Sequence, residues 1–115
     1  MRENDTWLLE MRLFRLKPGT REEFDRISRE GTVPLMRNLG INVIAHGPSL
    51  NNEHGYFLLR AFPSERERVE LSQSLYTTEE WLEKYDATIP AMIDDYDTAV
   101  LAAPPAALRH LAGDG

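Results

Sequence analysis

The chain contains no cysteine. Disulfides, thiolate nucleophiles and Cys-based metal sites are therefore excluded, and the composition fits a reducing compartment. There is no excess of positive charge either: 13 basic residues stand against 19 acidic ones, for a formal net charge of −6. That is the opposite of the basic footprint of nucleic-acid binding, so no nucleic-acid partner is expected. No apolar run approaches the roughly 20 residues that span a bilayer, and no membrane partner is expected. Met1–Thr6 reads as a loose polar lead-in without the apolar segment of a signal peptide, and the expected location is cytoplasmic. No phosphate-binding glycine loop is present, and no nucleophile elbow surrounds Ser28, Ser49, Ser64, Ser72 or Ser74. Internal repeats and low-complexity tracts are absent as well.

What is present is one domain's worth of chain, 115 residues with 42% hydrophobic and 28% charged side chains, enough to bury a core without staples. The stretch from Trp7 to Gly19 reads as a strand running into a turn at Pro18-Gly19. Alternation puts Leu9, Met11 and Leu13 on one strand face and Glu10, Arg12, Phe14 and Leu16 on the other. The first set reads as the core face. The second mixes a carboxylate, a guanidinium and an aromatic ring.

Thr20 with Glu23 has the spacing of a capping box, so a helix is expected to follow and to stop at Gly40. Pro34 predicts a kink or break between Arg29 and Pro34, and Gly31 a close approach of helix to sheet. Strands are expected from Ile41 to His46 and from Tyr56 to Phe62, joined as a hairpin by the turn-rich Ser49–Gly55. Ser64 with Glu67 caps a second helix ending near Tyr76, and Thr78 caps a short segment around Trp81. The segment from Thr88 to Asp95 reads as helical with Pro90 in its first turn, and Tyr96–Leu101 as the last strand. Residues 1–101 then form one domain. Residues 102–115 form a tail, a short helix around Ala106–Leu111, or an arm on a partner.

Strand, helix, strand, strand, helix, strand is the ferredoxin-like βαββαβ order of an α+β fold, with a four-stranded antiparallel sheet. Both helices cover one sheet face, which leaves the other bare. The mixed face, with Leu8, Phe14, Leu16, Ile44, Leu58 and Phe62 among Glu10, Arg12, His46 and Arg60, is expected to be that bare face. So large an apolar patch calls for a second copy, a face-to-face homodimer with a barrel-like interior.

The chemistry-bearing candidates lie on this face. Glu10 and Arg60 sit on strands that are neighbours in the ferredoxin-like order, so Glu10 can pair with Arg12 or Arg60. The guanidiniums offer planar donor forks for an anionic or carbonyl group; the plainer alternative is a structural pair satisfied inside the dimer. His46 is placed to move a proton near neutral pH, or is merely a polar strand end. Glu10 and His46 are thus the candidate catalytic residues, with Arg12, Arg60, Phe14 and Tyr96 as candidate substrate contacts. Tyr76, Trp81, Tyr85 and Tyr96 are available to line a pocket between helix and sheet. His46, His54 and His110 show no metal-ligand spacing, nor do Asp94, Asp95 and Asp97, so neither metal nor cofactor is expected.

LEMRLFRLKPGTREEF resembles the opening of NIPSNAP domains, Glu-x-Arg-x-Tyr-x-Leu-Lys-Pro-Gly, with Glu10, Arg12, Leu16, Lys17, Pro18 and Gly19 in place and Phe14 where the family has Tyr. GPSLNNEHGYFLLRAFPSERERVE and YTTEEW resemble bacterial members, so the likeness runs from Leu8 to Leu101. It implies a dimeric α/β-barrel, in a superfamily that includes cofactor-free monooxygenases and haem-degrading enzymes, and it brings no settled activity. The resulting expectation is a dimer that binds a small hydrophobic or carbonyl compound, with cofactor-independent oxygenase-like or isomerase-like chemistry. The alternative is a non-catalytic interaction or assembly protein.

Overall fold

The computed structural model describes residues 6–113. The expected lead-in before Thr6 lies outside them. The elements are β1 (Trp7–Leu16), α1 (Arg21–Ile27), a π-helical turn (Ser28–Thr32), α2 (Val33–Asn38), β2 (Asn42–Pro48), β3 (Gly55–Phe62), α3 (Glu65–Thr77), α4 (Glu79–Lys84), α5 (Thr88–Met92), β4 (Ile93–Ala103) and α6 (Pro105–Leu111). The four strands form one antiparallel sheet in the order β2-β3-β1-β4. This is the α+β ferredoxin-like arrangement expected from the element order. Among the described residues, no helix is long and apolar enough to cross a membrane.

The break expected before Pro34 is the π-helical turn. Pro34 has no backbone N–H, and its ring crowds the carbonyl four residues earlier. The chain yields by widening one turn, so that the Val33 N–H reaches back five residues to the Ser28 carbonyl. Gly31 in this turn does mark a close approach, but to the Tyr85 side chain rather than to the sheet: a Cβ there would overlap the Tyr85 hydroxyl. Gly40, at φ +89°, ends the helical run in the left-handed conformation.

Ser64 and Thr78 cap as expected, accepting from the N–H groups of Glu67 and Trp81. Thr20 does not. Its hydroxyl turns back to the Lys17 carbonyl at 2.7 Å, and Glu23 pairs with Arg26 instead. The tight Pro18-Gly19 turn brings that carbonyl within reach first. The helix expected over Thr88–Asp95 stops at Met92, and β4 begins at Ile93, five residues before Thr98 rather than two. Pairing with β1 imposes this, since Ile93 lies opposite Leu16 and Asp95 opposite Arg15. At its other end β4 runs on to Ala103. α6 then folds back with Leu108 buried against Leu9, Ile44 and Ala61.

The two faces of the sheet are the reverse of the expectation. The face with Glu10, Arg12, Phe14, Leu16, Leu58, Arg60 and Phe62 lies under the helices and forms the main core with Phe24, Val33, Leu75 and Trp81. The uncovered face carries Leu9, Met11, Leu13, Phe57, Leu59 and Leu101, and α6 closes only one end of it. Leu13 there is 52% exposed and Leu101 46%. The reason is volume and polarity. The mixed set holds the larger groups, and its charges find partners on α3, whereas the plain aliphatic set offers α3 nothing to bond. Ile44 alone leaves the mixed set. A β-bulge between Val43 and Ala45 turns it to the uncovered side, while His46 stays on the helix side opposite Leu58.

The Gly31 contact makes a testable claim. Gly31→Ala forces Tyr85 out of its seat and is expected to cost about 1–3 kcal/mol, the usual cost of overpacking. Combining it with Tyr85→Phe, which removes the overlapping hydroxyl, recovers part of that loss in urea unfolding. No recovery would show that the glycine serves another purpose.

Candidate functional site

Glu10 and Arg60 face each other across the β1–β3 ladder, and both are 0% exposed. The Arg60 Nε donates to Glu10 Oε1 at 2.7 Å, and its Nη2 lies 2.7 Å from the same oxygen. Arg68 from α3 donates to Glu10 Oε2 at 2.9 Å, and the Arg12 Nε stands 3.2 Å from Oε1. Burial alone pushes the Glu10 carboxyl up, but the surrounding guanidiniums outweigh it and hold the group below the ordinary carboxylate range. Arg68 is also held by Glu65 at 2.6 Å. Two carboxylates thus answer three guanidiniums. Among the described residues one positive charge is left over, and the buried Arg60 Nη1 and Arg12 Nε have no hydrogen-bond partner.

Arg12 carries that charge outward. Its Nη1 donates to the Tyr76 hydroxyl at 3.0 Å, and both side chains line a cavity of about 430 Å³ between the sheet and the helices. The walls are mainly apolar and aromatic: Phe14, Phe24, Leu58, Trp81, Ile89 and Tyr96. Ser28 and Thr32, brought in by the π-helical turn, and the exposed Asp94 and Asp95 add polar edges. Tyr76 packs edge-on to Trp81, with ring centroids 5.1 Å apart, which stiffens one wall.

His46 also lines the cavity. Its Nδ1 lies 2.8 Å from the Tyr56 hydroxyl, which donates to Asp25 Oδ1 at 2.6 Å. Burial pulls the imidazole below its usual value; Asp25 opposes this, and Arg37 and Arg29 add to it. Burial and the Asp25 contact push the Tyr56 phenol well above its own. Both groups are therefore neutral near pH 7.

Of the residues singled out in the sequence, the structure brings Arg12, Phe14, His46 and Tyr96 to this one cavity, with Tyr76 and Trp81. Glu10 and Arg60 are not part of its lining. They are sealed behind it, because each needs the other to remain charged away from water. Tyr85 packs against Gly31 and Trp81 instead. Sequence reasoning missed Arg68, Asp25 and Tyr56. Tyr56 was legible, since it shares strand parity with Leu58 and Arg60, whereas Asp25 and Arg68 reach the site only through helix packing. Among the described residues, no group of three or more His, Cys, Asp or Glu is placed to hold a metal ion.

No sequence-family model and no curated protein sequence matches the chain. Solved structures do. A NIPSNAP family protein of unknown function from Agrobacterium tumefaciens superposes with a TM-score of 0.78 at 18% identity, over 88% of this chain and 91% of that one. The fold is that of NIPSNAP proteins. A NIPSNAP-like domain protein from Burkholderia xenovorans agrees, with a TM-score of 0.75 at 19% identity and 86% of each chain covered. A protein proposed to be an antibiotic biosynthesis monooxygenase, from Bacteroides thetaiotaomicron, matches with a TM-score of 0.61 at 16% identity, over 86% of this chain and 89% of that one. At these identities the likeness is one of fold, and activity has to be argued from the side chains.

The buried cluster predicts a large and pH-dependent effect. Glu10→Ala leaves Arg60 without its counter-charge and is expected to cost about 3–5 kcal/mol in chemical unfolding near neutral pH. The folded-state value of Glu10 is depressed, so its stabilisation is full above the unfolded value of about 4.3 and is lost as pH falls through the lower folded value. The stability gap between parent and variant should therefore close in acid. A gap that persists there would contradict the charge pairing.

Proposed function

We propose that this chain, a NIPSNAP-like protein, binds a small hydrophobic compound carrying a carbonyl or carboxylate group in the cavity between sheet and helices. The observation that carries the reading is the surplus guanidinium of Arg12, which lines a mainly apolar and aromatic chamber whose two carboxylates, Asp94 and Asp95, lie at its exposed edge. Phe14, Trp81 and Tyr96 supply the apolar walls for the body of the ligand. Arg12 supplies a charged donor fork for its oxygen. Glu10, Arg60 and Arg68 act behind Arg12, fixing its position. His46 is the group that moves a proton, which fits cofactor-independent isomerase-like or oxygenase-like chemistry. The cysteine-free composition suits a cytoplasmic setting.

The working unit in this reading is a homodimer. Its contact face is the uncovered side of the sheet, with Met11, Leu13, Phe57, Leu59 and Leu101, together with the fully exposed Leu50 of the β2–β3 loop. Water is a poor cover for so many aliphatic groups, and a second copy buries the same set symmetrically. This face also favours a second reading, an assembly protein whose dimer is itself the product.

Two measurements separate these readings. With 2-naphthoate as probe, Arg12→Ala is expected to weaken binding about tenfold to a hundredfold, the worth of one charged hydrogen bond, followed by tryptophan fluorescence. No binding to the parent protein would leave only the assembly reading. Leu13→Asp, at a position half-exposed in the single chain, is expected to yield a folded monomer in sedimentation equilibrium. An unchanged dimer would move the interface elsewhere.

A further inference from the structure

We infer that Tyr56 and Asp25 hold the His46 ring with its proton on Nδ1, so that Nε2 is left as the proton acceptor for a ligand bearing a weakly acidic O–H or C–H. This deepens the ligand-binding reading and rests on it. A phenol has one proton to give, and an ionised carboxylate can only accept. The Tyr56 hydroxyl touches both Asp25 Oδ1, at 2.6 Å, and His46 Nδ1, at 2.8 Å. Its proton goes to Asp25, the shorter and charge-assisted contact. Toward His46 the phenol oxygen can then only accept, and Nδ1 must be the donor. One ring nitrogen of a neutral imidazole carries the proton, so the lone pair stays on Nε2.

The surroundings support a neutral ring. α1 contributes Asp25, the π-helical turn Arg29, α2 Arg37 and β3 Tyr56, while Arg12, Asp94 and Asp95 border the same cavity. Burial and the two guanidiniums of Arg29 and Arg37 disfavour the imidazolium, and Asp25 works against them. Asp25 is itself tied to Arg29 at 4.0 Å, which limits its pull on the ring. In the local geometry His46 and Tyr56 are diagonal neighbours on one sheet face, His46 opposite Leu58 and Tyr56 opposite Pro48. Asp25 projects from the helix laid across them. Tyr56 and Asp25 therefore act through His46 as positioning residues; the Tyr56 ring also borders the cavity, whereas Asp25 stands behind it.

The reaction that follows needs no oxidant. The O–H or C–H bond of the ligand breaks, its proton passes to Nε2, and the electron pair stays on the ligand as a phenolate or enolate. The Arg12 guanidinium in the same cavity holds the oxyanion. The imidazolium formed still donates from Nδ1 to Tyr56, and through it leans on Asp25. Return of the proton to a different carbon of an enolate completes an isomerisation. The substrate class is thus a hydrophobic enolisable carbonyl compound or a phenol.

Nitrogen-15 NMR of the ligand-free protein reads the tautomer directly, with His46→Gln assigning the signal among the three histidines. The parent is expected to show the proton on Nδ1. Tyr56→Phe removes the acceptor, and Asp25→Ala frees the Tyr56 proton to turn toward His46; in both, His46 is expected to lose the Nδ1–H signature. A parent ring protonated on Nε2, or variants with an unchanged tautomer, would overturn the inference, and a purely structural role for Tyr56 or Asp25 predicts the latter. Adding 2-naphthol to the parent is then expected to shift the Nε2 resonance. Fluorescence quenching by 2-naphthol without that shift defeats the acceptor role while leaving the pocket intact. Absence of any binding defeats the pocket, and the acceptor role with it.

Discussion

One buried carboxylate organises this molecule. Glu10 has no access to water, and three guanidiniums from β1, β3 and α3 converge on it. Each brings a structural consequence. The pairing with Arg60 fixes the register of β1 against β3, because a one-residue slip would carry the carboxylate to the aliphatic face. The bond from Arg68 fixes where α3 lies across the sheet. The remaining contact holds Arg12 from one side while the Tyr76 hydroxyl holds it from the other. Register, helix placement and the polar wall of the cavity thus share one origin.

The cavity itself follows from how the helical layer is cut. α3 packs against β3 and the α1–α2 run against β2, yet β4 is left open along most of its length, with Tyr96 56% exposed. Space remains where the two helical runs diverge, and α4 and α5 roof it with Trp81 and Ile89. The wider turn at Ser28–Thr32 belongs to this layer and sets Ser28 and Thr32 on the cavity's edge. The chamber is therefore a by-product of layering, furnished by whichever residues the strands present on that side. Those are the aromatic and charged ones.

Much of this was legible in the sequence. The four strands, the hairpin, the break before Pro34, the caps at Ser64 and Thr78 and the adjacency of Glu10 to Arg60 all follow from local spacing and topology. Alternation separates the two faces of β1 cleanly but is silent on which one the helices cover. That depends on where Arg68 and Tyr76 land, 58 residues from Glu10 and 64 from Arg12 in the chain. The Tyr56–Asp25 bond was hidden for the same reason, spanning 31 residues between a strand and a helix. Thr20 misled because its hydroxyl, expected to accept from the helix N–H of Glu23, instead donates to the Lys17 carbonyl that the preceding turn brings within 2.7 Å.

The bulge in β2 has a consequence for how this chain can vary in length. In an ordinary strand, losing one residue swaps the face of everything beyond it. Here Val43 stands opposite Arg60 and Ala45 opposite Leu59, with Ile44 as the surplus residue between them. Deleting Ile44 would restore plain alternation and leave His46 facing Leu58 and the cavity, at the expense of one aliphatic group packed against α6. The histidine is thereby insulated from a single-residue deletion at that point. An insertion between Ala45 and His46 has no such slack, and would turn the imidazole out of the chamber.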